Sequence, residues 1–316
     1  MRPGLGAERA MHEETVYDAL TAAHGDDARW AFGAGFDDPL AGVDTTVPDR
    51  VEPADLGAYC LMLGDDALVL SQRLIEWITR APELEEEVAF ANVALDLLGQ
   101  ARLLLARAGS VGVLGRSRER AGASVPDEDA LAFFREPGEF RCTALVVADG
   151  GDFARTLVRL LMASTWRLAL FTQLQASRDP VLAAIAGKGV AELSYHRSHA
   201  ARWVLRLGDG TAESHRRART AVDSLWPLTA DLFTPTEVEA RLAPAGVAVD
   251  PGRLREEVQG VLTDVLTRAT LTVPEWPASA PPTGRLGQHD PGRSEELTEL
   301  LAGLQGLARR HPGATW

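Results

Sequence analysis

Carboxylate, carboxamide and imidazole side chains recur at a spacing of one helical turn in two segments of the chain. Asp96 and Gln100 lie four residues apart in one apolar segment, and Glu192 and His196 lie four residues apart in another. Because residues four apart share one face of an α-helix, each pair can present its polar atoms to a single place. Carboxylates and imidazoles are also common ligands of iron and zinc. The two pairs therefore predict either a metal site or a hydrogen-bonded polar cluster between helices.

Four long segments with helical spacing of apolar residues must position these side chains. Each exceeds 20 residues and has no internal proline after its first turn. We predict these helices at residues 54–80, 82–108, 153–177 and 180–207. The ends carry the expected signals: Pro82 opens the second helix, Asp152 is a predicted N-cap of the third, and Gly208 follows the fourth.

The order of these helices predicts an all-α fold, a ferritin-like four-helix bundle with a long crossover. Short links join the first helix to the second and the third to the fourth, which favours two antiparallel pairs. A connection of about forty residues, with one short helix at 128–135, separates the two pairs. No alternating segment of strand length is present in the sequence.

The remaining segments flank the predicted bundle on both sides. Further helices are predicted at residues 211–226, 251–272 and 294–310, with a proline-rich stretch at 273–282 and a short helix near the start at 13–23. We therefore divide the chain into an irregular N-terminal arm (1–52), the bundle (53–210) and a C-terminal helical extension packed on the bundle (211–316).

A di-iron site in such a bundle needs one Glu on each of two helices and a Glu-x-x-His on each of the other two. The third helix has no Asp or Glu between Asp152 and Asp179. Three residues after Asp96 stands Gly99, and three residues after Glu192 stands Tyr195, so neither Glu-x-x-His is intact. The first helix has candidate carboxylates at Asp65, Asp66 and Glu76. This ligand set is incomplete.

We interpret the polar residues as the remnant of a di-iron site, a degenerate cluster of Asp96, Gln100, Glu192 and His196 without metal or catalytic residues. Buried side chains of this kind need hydrogen bonds or an ion pair with an arginine, because a lone buried charge is costly. A mononuclear site that uses Glu192, His196 and His199 is an alternative, but the sequence shows no fourth ligand for it.

Composition limits the other functions. The chain has 316 residues, 45 acidic and 32 basic, and the net charge of −13 argues against a nucleic-acid scaffold. Its two cysteines, Cys60 and Cys142, cannot form a disulfide framework or a four-thiolate site. We expect a soluble, cytoplasmic protein with no membrane span, since we find neither a long enough apolar run nor a signal peptide. Motifs of hydrolases, zinc proteases and dinucleotide-binding proteins are absent.

Several ordered stretches of the sequence resemble one family, the C subunits of ring-1,2-phenylacetyl-CoA epoxidases. The matching stretches are 59–68 (YCLMLGDDAL), Arg73-Leu74, Glu76-Trp77, 81–86 (APELEE), Ala91-Asn92, 94–102 (ALDLLGQAR), 127–133 (DEDALAF), 151–154 (GDFA), Glu192 with Tyr195-His196, 203–210 (WVLRLGDG) and 311–316 (HPGATW). They cover about residues 55–316, so the N-terminal arm lies outside the resemblance.

The resemblance implies a structural role in phenylacetate catabolism. In this family a catalytic A subunit, a ferritin-like di-iron oxygenase, inserts oxygen into the ring of the CoA thioester. The C subunit resembles a duplicated relative that lost its metal ligands, carries no cofactor of its own and pairs with the A subunit. A small bridging B subunit joins these pairs, and a reductase with flavin and iron–sulfur centres supplies electrons from NADPH.

Two functions of other classes stay open at this level. One is an oxygenase in its own right, with an atypical metal site on Asp96, Glu192 and His196. The other is a stand-alone helical protein that binds an acyl-CoA, since arginines scattered in the sequence can come together in space.

Overall fold

Helices account for all regular structure in the part of the chain that the structure describes. The computed structural model describes residues 40, 42–277, 291–312 and 314. The α-helices are α1 Pro53–Ile75, α2 Leu84–Ser110, α3 Gly115–Ala121, α4 Asp127–Phe133, α5 Ala144–Val147, α6 Phe153–Leu174, α7 Pro180–Gly208, α8 Ala212–Leu225, α9 Glu237–Leu242, α10 Arg255–Arg268 and α11 Pro291–Arg310. Short 3₁₀ segments occur at Pro137–Glu139, Trp226–Phe233 and Pro251–Leu254. The predicted all-α fold is confirmed.

The four long helices form the predicted bundle. α1 packs along α2, α6 packs along α7, and the segment from α3 to α5 crosses over between the two pairs. Asp152 caps α6 as predicted, with its Oδ1 accepting from the backbone N–H of Arg155 at 2.9 Å. Asp179 caps α7 in the same way through the N–H of Leu182 at 2.9 Å.

The first helix ends earlier than its apolar pattern indicates. We predicted it to Arg80, but α1 ends at Ile75 and residues 76–80 form tight turns. These turns place the buried Trp77 ring edge-on to Phe153, with 5.9 Å between the ring centroids. Helical spacing and tight turns bury similar positions over so few residues, so the pattern alone did not show the end of the helix.

Two smaller predictions also need correction. The sequence predicted one helix over 251–272, whereas Pro251–Leu254 is 3₁₀ and α10 ends at Arg268. The crossover was predicted to hold one short helix at 128–135, but it contains α3 and α5 besides α4. Helices of four to seven residues give too few turns for an apolar period to be read.

Three tryptophans are buried in the core, and Trp203 is half-buried. Trp77, Trp166 and Trp226 are buried, and Trp276 packs on Trp226 with 4.1 Å between the ring centroids. The indole N–H of Trp226 donates to the carbonyl of Glu275 at 3.0 Å, which fixes this part of the C-terminal segment.

The chain divides into two compact units, Met1–Ala41 and Gly42–Trp316, and the second contains both the bundle and the C-terminal helices. The helix predicted at 13–23 and most of the predicted arm lie outside the described residues, as does Trp316.

In the described part of the chain, the helix Leu84–Ser110 is long and apolar enough to cross a membrane, which differs from the sequence-based expectation of no such run. Within the apolar 18-residue window of this helix, 44% is buried inside the protein. A core helix of a bundle meets the same criteria.

Candidate functional site

Polar side chains join α2 and α7 in three pairs along the seam between these helices. The amide Nε2 of Gln100 donates to Oε2 of Glu192 at 2.9 Å, and Nε2 of His196 lies 2.9 Å from Oδ2 of Asp96. These two pairs contain the four residues predicted to form the degenerate cluster. The structure therefore brings each residue together with a partner on the neighbouring helix.

The third pair joins His199 to Glu86, and Glu86 was not among the residues predicted for this site. Nε2 of His199 lies 3.1 Å from Oε2 of Glu86, although the geometry is not that of an aligned hydrogen bond. The ring of Tyr195 stacks beside His199, with 6.0 Å between the centroids. Glu86 stands among four acidic residues at the start of α2, so its burial could not be distinguished in sequence from a general preference for acids at a helix N-terminus.

Burial shifts the pKa of two side chains in this seam, His199 and Glu192. Burial lowers the pKa of His199 below its ordinary value of 6.5, while the nearby Glu86 opposes the shift. His199 is therefore neutral at pH 7. Burial raises the pKa of Glu192, and the hydrogen bond from Gln100 opposes that change.

The acid-free third helix of the bundle contributes an arginine instead of a carboxylate. Arg167 on α6 is buried; its Nε donates to Oε1 of Gln100 at 2.9 Å and its Nη1 to the carbonyl of Leu63 at 3.1 Å. Its guanidinium lies over the ring of Phe171, 4.5 Å from the centroid. Gln100 thus accepts from Arg167 and donates to Glu192, which fixes the orientation of its amide.

The two carboxylates in the middle of α1 are directed to the crossover. Both oxygens of Asp65 accept from the guanidinium of Arg135, and Oδ2 also accepts from the backbone N–H of Arg141 at 2.8 Å. Asp66 accepts from the backbone N–H and the hydroxyl of Thr143, at 2.7 and 3.1 Å. Asp65 and Asp66 therefore hold the crossover segment.

These residues do not fit a di-iron centre. A carboxylate-bridged metal pair needs four carboxylates and two imidazoles directed at one place. In the described residues the carboxylates are divided among separate partners, and no group of three or more His, Cys, Asp and Glu side chains is arranged to hold a metal ion. A buried guanidinium bonded to Gln100 adds a positive charge, which would repel a cation there.

Replacing Arg167 with methionine should lower the free energy of unfolding by about 1–3 kcal/mol, because the buried Gln100 oxygen and the Leu63 carbonyl both lose this donor. Urea unfolding followed by circular dichroism measures the loss. Arg167→Lys is the matched variant: it keeps the charge but lacks the planar fork, so we expect a smaller loss. A methionine variant as stable as the wild type would show that these hydrogen bonds do not stabilise the seam.

Comparison with known proteins identifies a family and a relative of this chain. Residues 43–316 match the family of phenylacetic acid catabolic proteins. The chain is also 43% identical over 261 residues to the C subunit of the 1,2-phenylacetyl-CoA epoxidase of Escherichia coli (strain K12), which covers 83% of this chain and 99% of that protein. All of the residues outside the family match therefore precede residue 43.

Proposed function

Because the chain belongs to the family of phenylacetic acid catabolic proteins, we propose that it is the non-catalytic structural subunit of a multicomponent 1,2-phenylacetyl-CoA epoxidase. In this role it pairs with the catalytic di-iron A subunit of the complex and stabilises it. The similarity to a C subunit over nearly the whole length of that relative supports the assignment to the complex.

One observation carries the non-catalytic role: Arg167 occupies the polar interior with its guanidinium bonded to Gln100, which in turn is bonded to Glu192. An oxygenase of this fold activates O₂ at metal ions held by carboxylates and imidazoles of its bundle helices. Here the corresponding polar groups satisfy one another across the seam. The same contacts weigh against an oxygenase site on Asp96, Glu192 and His196.

The proposal includes the rest of the complex. The chain carries no cofactor; the A subunit holds the di-iron centre, a small B subunit bridges the pairs, and a flavin and iron–sulfur reductase delivers electrons. The complex acts in the cytoplasm and involves neither nucleic acid nor a membrane. The net charge of −13 supports the absence of nucleic acid.

A stand-alone acyl-CoA-binding protein gains no support from the open pocket near the end of α6. This pocket has a volume of about 530 Å³, and its ionisable lining consists of Glu239, Asp250 and Arg253. Two carboxylates and one guanidinium do not favour the phosphates of CoA.

Elemental analysis tests the absence of metal from this chain. The protein is expressed alone in iron-replete medium, washed with a mild chelator and analysed for iron. We expect no stoichiometric metal. About two irons per chain would overturn the structural role and restore the oxygenase alternative.

Co-expression tests the pairing. Expressed alone, the chain should self-associate or be poorly soluble, because a surface that an obligate partner covers is left open. Co-expressed with the A subunit of the same complex, it should elute with that subunit as one stable species in size-exclusion chromatography. A well-behaved monomer that elutes apart from the A subunit would contradict the proposal.

A further inference from the structure

The exposed face of α2 carries an apolar stripe that nothing in this chain covers within the described residues. Leu84, Val88, Leu95 and Leu98 are all exposed, with Leu84 at 70% and Leu95 at 57%. Their spacing of four, seven and three residues, with Ala91 between, follows one side of the helix over about 21 Å. A helix that is apolar on its outer face as well as its inner one is normally buried on both.

The adjacent helix α7 presents small side chains on the same side of the bundle. Gly187, Ala191, Ser194 and Ser198 recur at intervals of three and four residues and are exposed. Because α2 and α7 lie side by side along the seam, we expect the large side chains of α2 to form a ridge and the small side chains of α7 a shallow trough beside it. Ridges that fit into such grooves are the geometry by which helices pack on helices.

Apolar exposure is concentrated on this face. Seven large hydrophobic side chains are exposed among the described residues; four belong to the stripe, and a fifth is Tyr195 of α7. The other two are Ile75 and Leu307. Contiguous exposed apolar surface of this kind marks a site of interaction.

Charges at the two ends of the face bear on the occupant. Glu83 and Glu85 are exposed near the start of the stripe. Near its other end, Lys188 is exposed, and so is most of the Arg102 side chain, although Arg102 also pairs with Glu128 at 3.4 Å. A helix that runs antiparallel to α2 places its own N-terminal turn, which favours acids, beside Arg102 and Lys188. Its C-terminal turn, which favours bases, then lies beside the glutamates.

Two other occupants fit less well. A lipid surface would meet Asp96, whose side chain is 38% exposed at the middle of the seam and lies 2.9 Å from Nε2 of His196. A second copy of the chain would bring together two molecules that each carry a net charge of −13, so self-association of the isolated chain should be weaker than its binding to a less acidic partner. A different, less acidic helical subunit avoids both penalties.

We propose that the α2–α7 face is the docking surface for an amphipathic helix of the catalytic subunit, which runs antiparallel to α2 with its apolar side on the Leu84–Leu98 stripe. This inference rests on the proposed function, which supplies the identity of the subunit. The stripe packs against the apolar side of that helix. The small side chains of α7 let the backbone of the docking helix approach the backbone of α7 closely.

Two variants disturb the face by different means. Leu95→Glu places a charge on the ridge, and Ala191→Trp fills the trough; both positions are at the surface. Leu307→Glu is the matched control, since Leu307 is 47% exposed on α11, away from this face. Each full-length variant is titrated against the immobilised catalytic subunit, and thermal unfolding checks that its fold is kept.

We expect Leu95→Glu and Ala191→Trp each to raise the dissociation constant at least tenfold, while Leu307→Glu binds as the wild type does. Wild-type affinity in both face variants would overturn this docking surface and leave the proposed function intact. Failure of the wild-type chain itself to bind would contradict both. If Leu95→Glu instead abolished self-association or sedimentation with anionic phospholipid vesicles, and left subunit binding unchanged, the face would belong to that other occupant and the proposal would fail.

Discussion

Replacing Arg135 with methionine is expected to lower the free energy of unfolding by about 3–5 kcal/mol. The Arg135 guanidinium donates to both oxygens of Asp65, and the two side chains are 4% and 0% exposed. Its Nε also donates to the carbonyl of Leu131 at 2.5 Å, and it lies over the ring of Phe140, 4.1 Å from the centroid. Without it, Asp65 is a buried carboxylate that has lost its counter-ion.

Arg141→Met is the matched control for this prediction. Arg141 also contacts Asp65, but only through its backbone N–H, and the residue is exposed. The control should therefore unfold within about 0.5 kcal/mol of the wild type. The double variant Asp65→Asn/Arg135→Met removes both charges and should be more stable than Arg135→Met alone. Equal urea midpoints for Arg135→Met and Arg141→Met would contradict the role of the ion pair.

The loss should extend to the C-terminal helix, because α11 is anchored to the same segment. Nε2 of Gln305 donates to the carbonyls of Ala132 and Arg135, at 3.0 and 3.1 Å, and Arg309 donates to the carbonyl of Phe133 at 3.0 Å. These bonds satisfy the carbonyls of the last two residues of α4, which have no partner within that helix, and the carbonyl of Arg135 just beyond it. Arg135 thus connects the middle of α1, the crossover and α11.

The helical architecture could be predicted from the sequence because its signals are local. Asp152 and Gly208 mark helix ends within one turn of the residues that they affect, and the apolar period of a long helix repeats many times. The polar pairs of the seam were also accessible, since Asp96 and Gln100, like Glu192 and His196, share a helix face at a spacing of four.

The partners of the buried charges could not be predicted in the same way. The contact of Arg167 with Gln100 spans 67 residues, and that of Arg135 with Asp65 spans 70. Spacing within α1 shows that Asp65 and Asp66 are adjacent, but not that both are directed to the crossover. Arg167 did leave one signal, a charged residue inside a long apolar helix, which indicates a buried cation that needs acceptors.

The ion pair at the start of α7 is the second place where one substitution should have a large effect. Nη2 of Arg107 lies 2.5 Å from Oδ2 of Asp179, and the two side chains are 2% and 0% exposed. Nη1 of Arg107 donates to the carbonyl of Thr45 at 2.7 Å, so this arginine also fixes the segment that precedes α1. Asp179 uses its other oxygen to cap α7.

Arg107→Met should lower the free energy of unfolding by about 3–5 kcal/mol, because Asp179 is left buried without a counter-ion. Asp179→Asn can retain the cap, since asparagine caps helices well, but it leaves Arg107 uncompensated. The double variant Arg107→Met/Asp179→Asn keeps the cap and buries no charge. The double variant should therefore be at least about 1 kcal/mol more stable than Arg107→Met in urea. The two single variants and the double variant together give the coupling energy of the pair in a double-mutant cycle.

Asp152→Asn provides the control for capping alone. Asp152 caps α6 as Asp179 caps α7, but its nearest cation, Arg217, is half exposed and 3.8 Å away. Because an ion pair of this kind contributes little, we expect a change below about 1 kcal/mol. Additive losses in the Arg107–Asp179 cycle would show that the two charges stabilise the fold separately. A positive coupling together with faster amide exchange at residues 45–47 in Arg107→Met would show that one buried charge pair stabilises both α7 and the segment before α1.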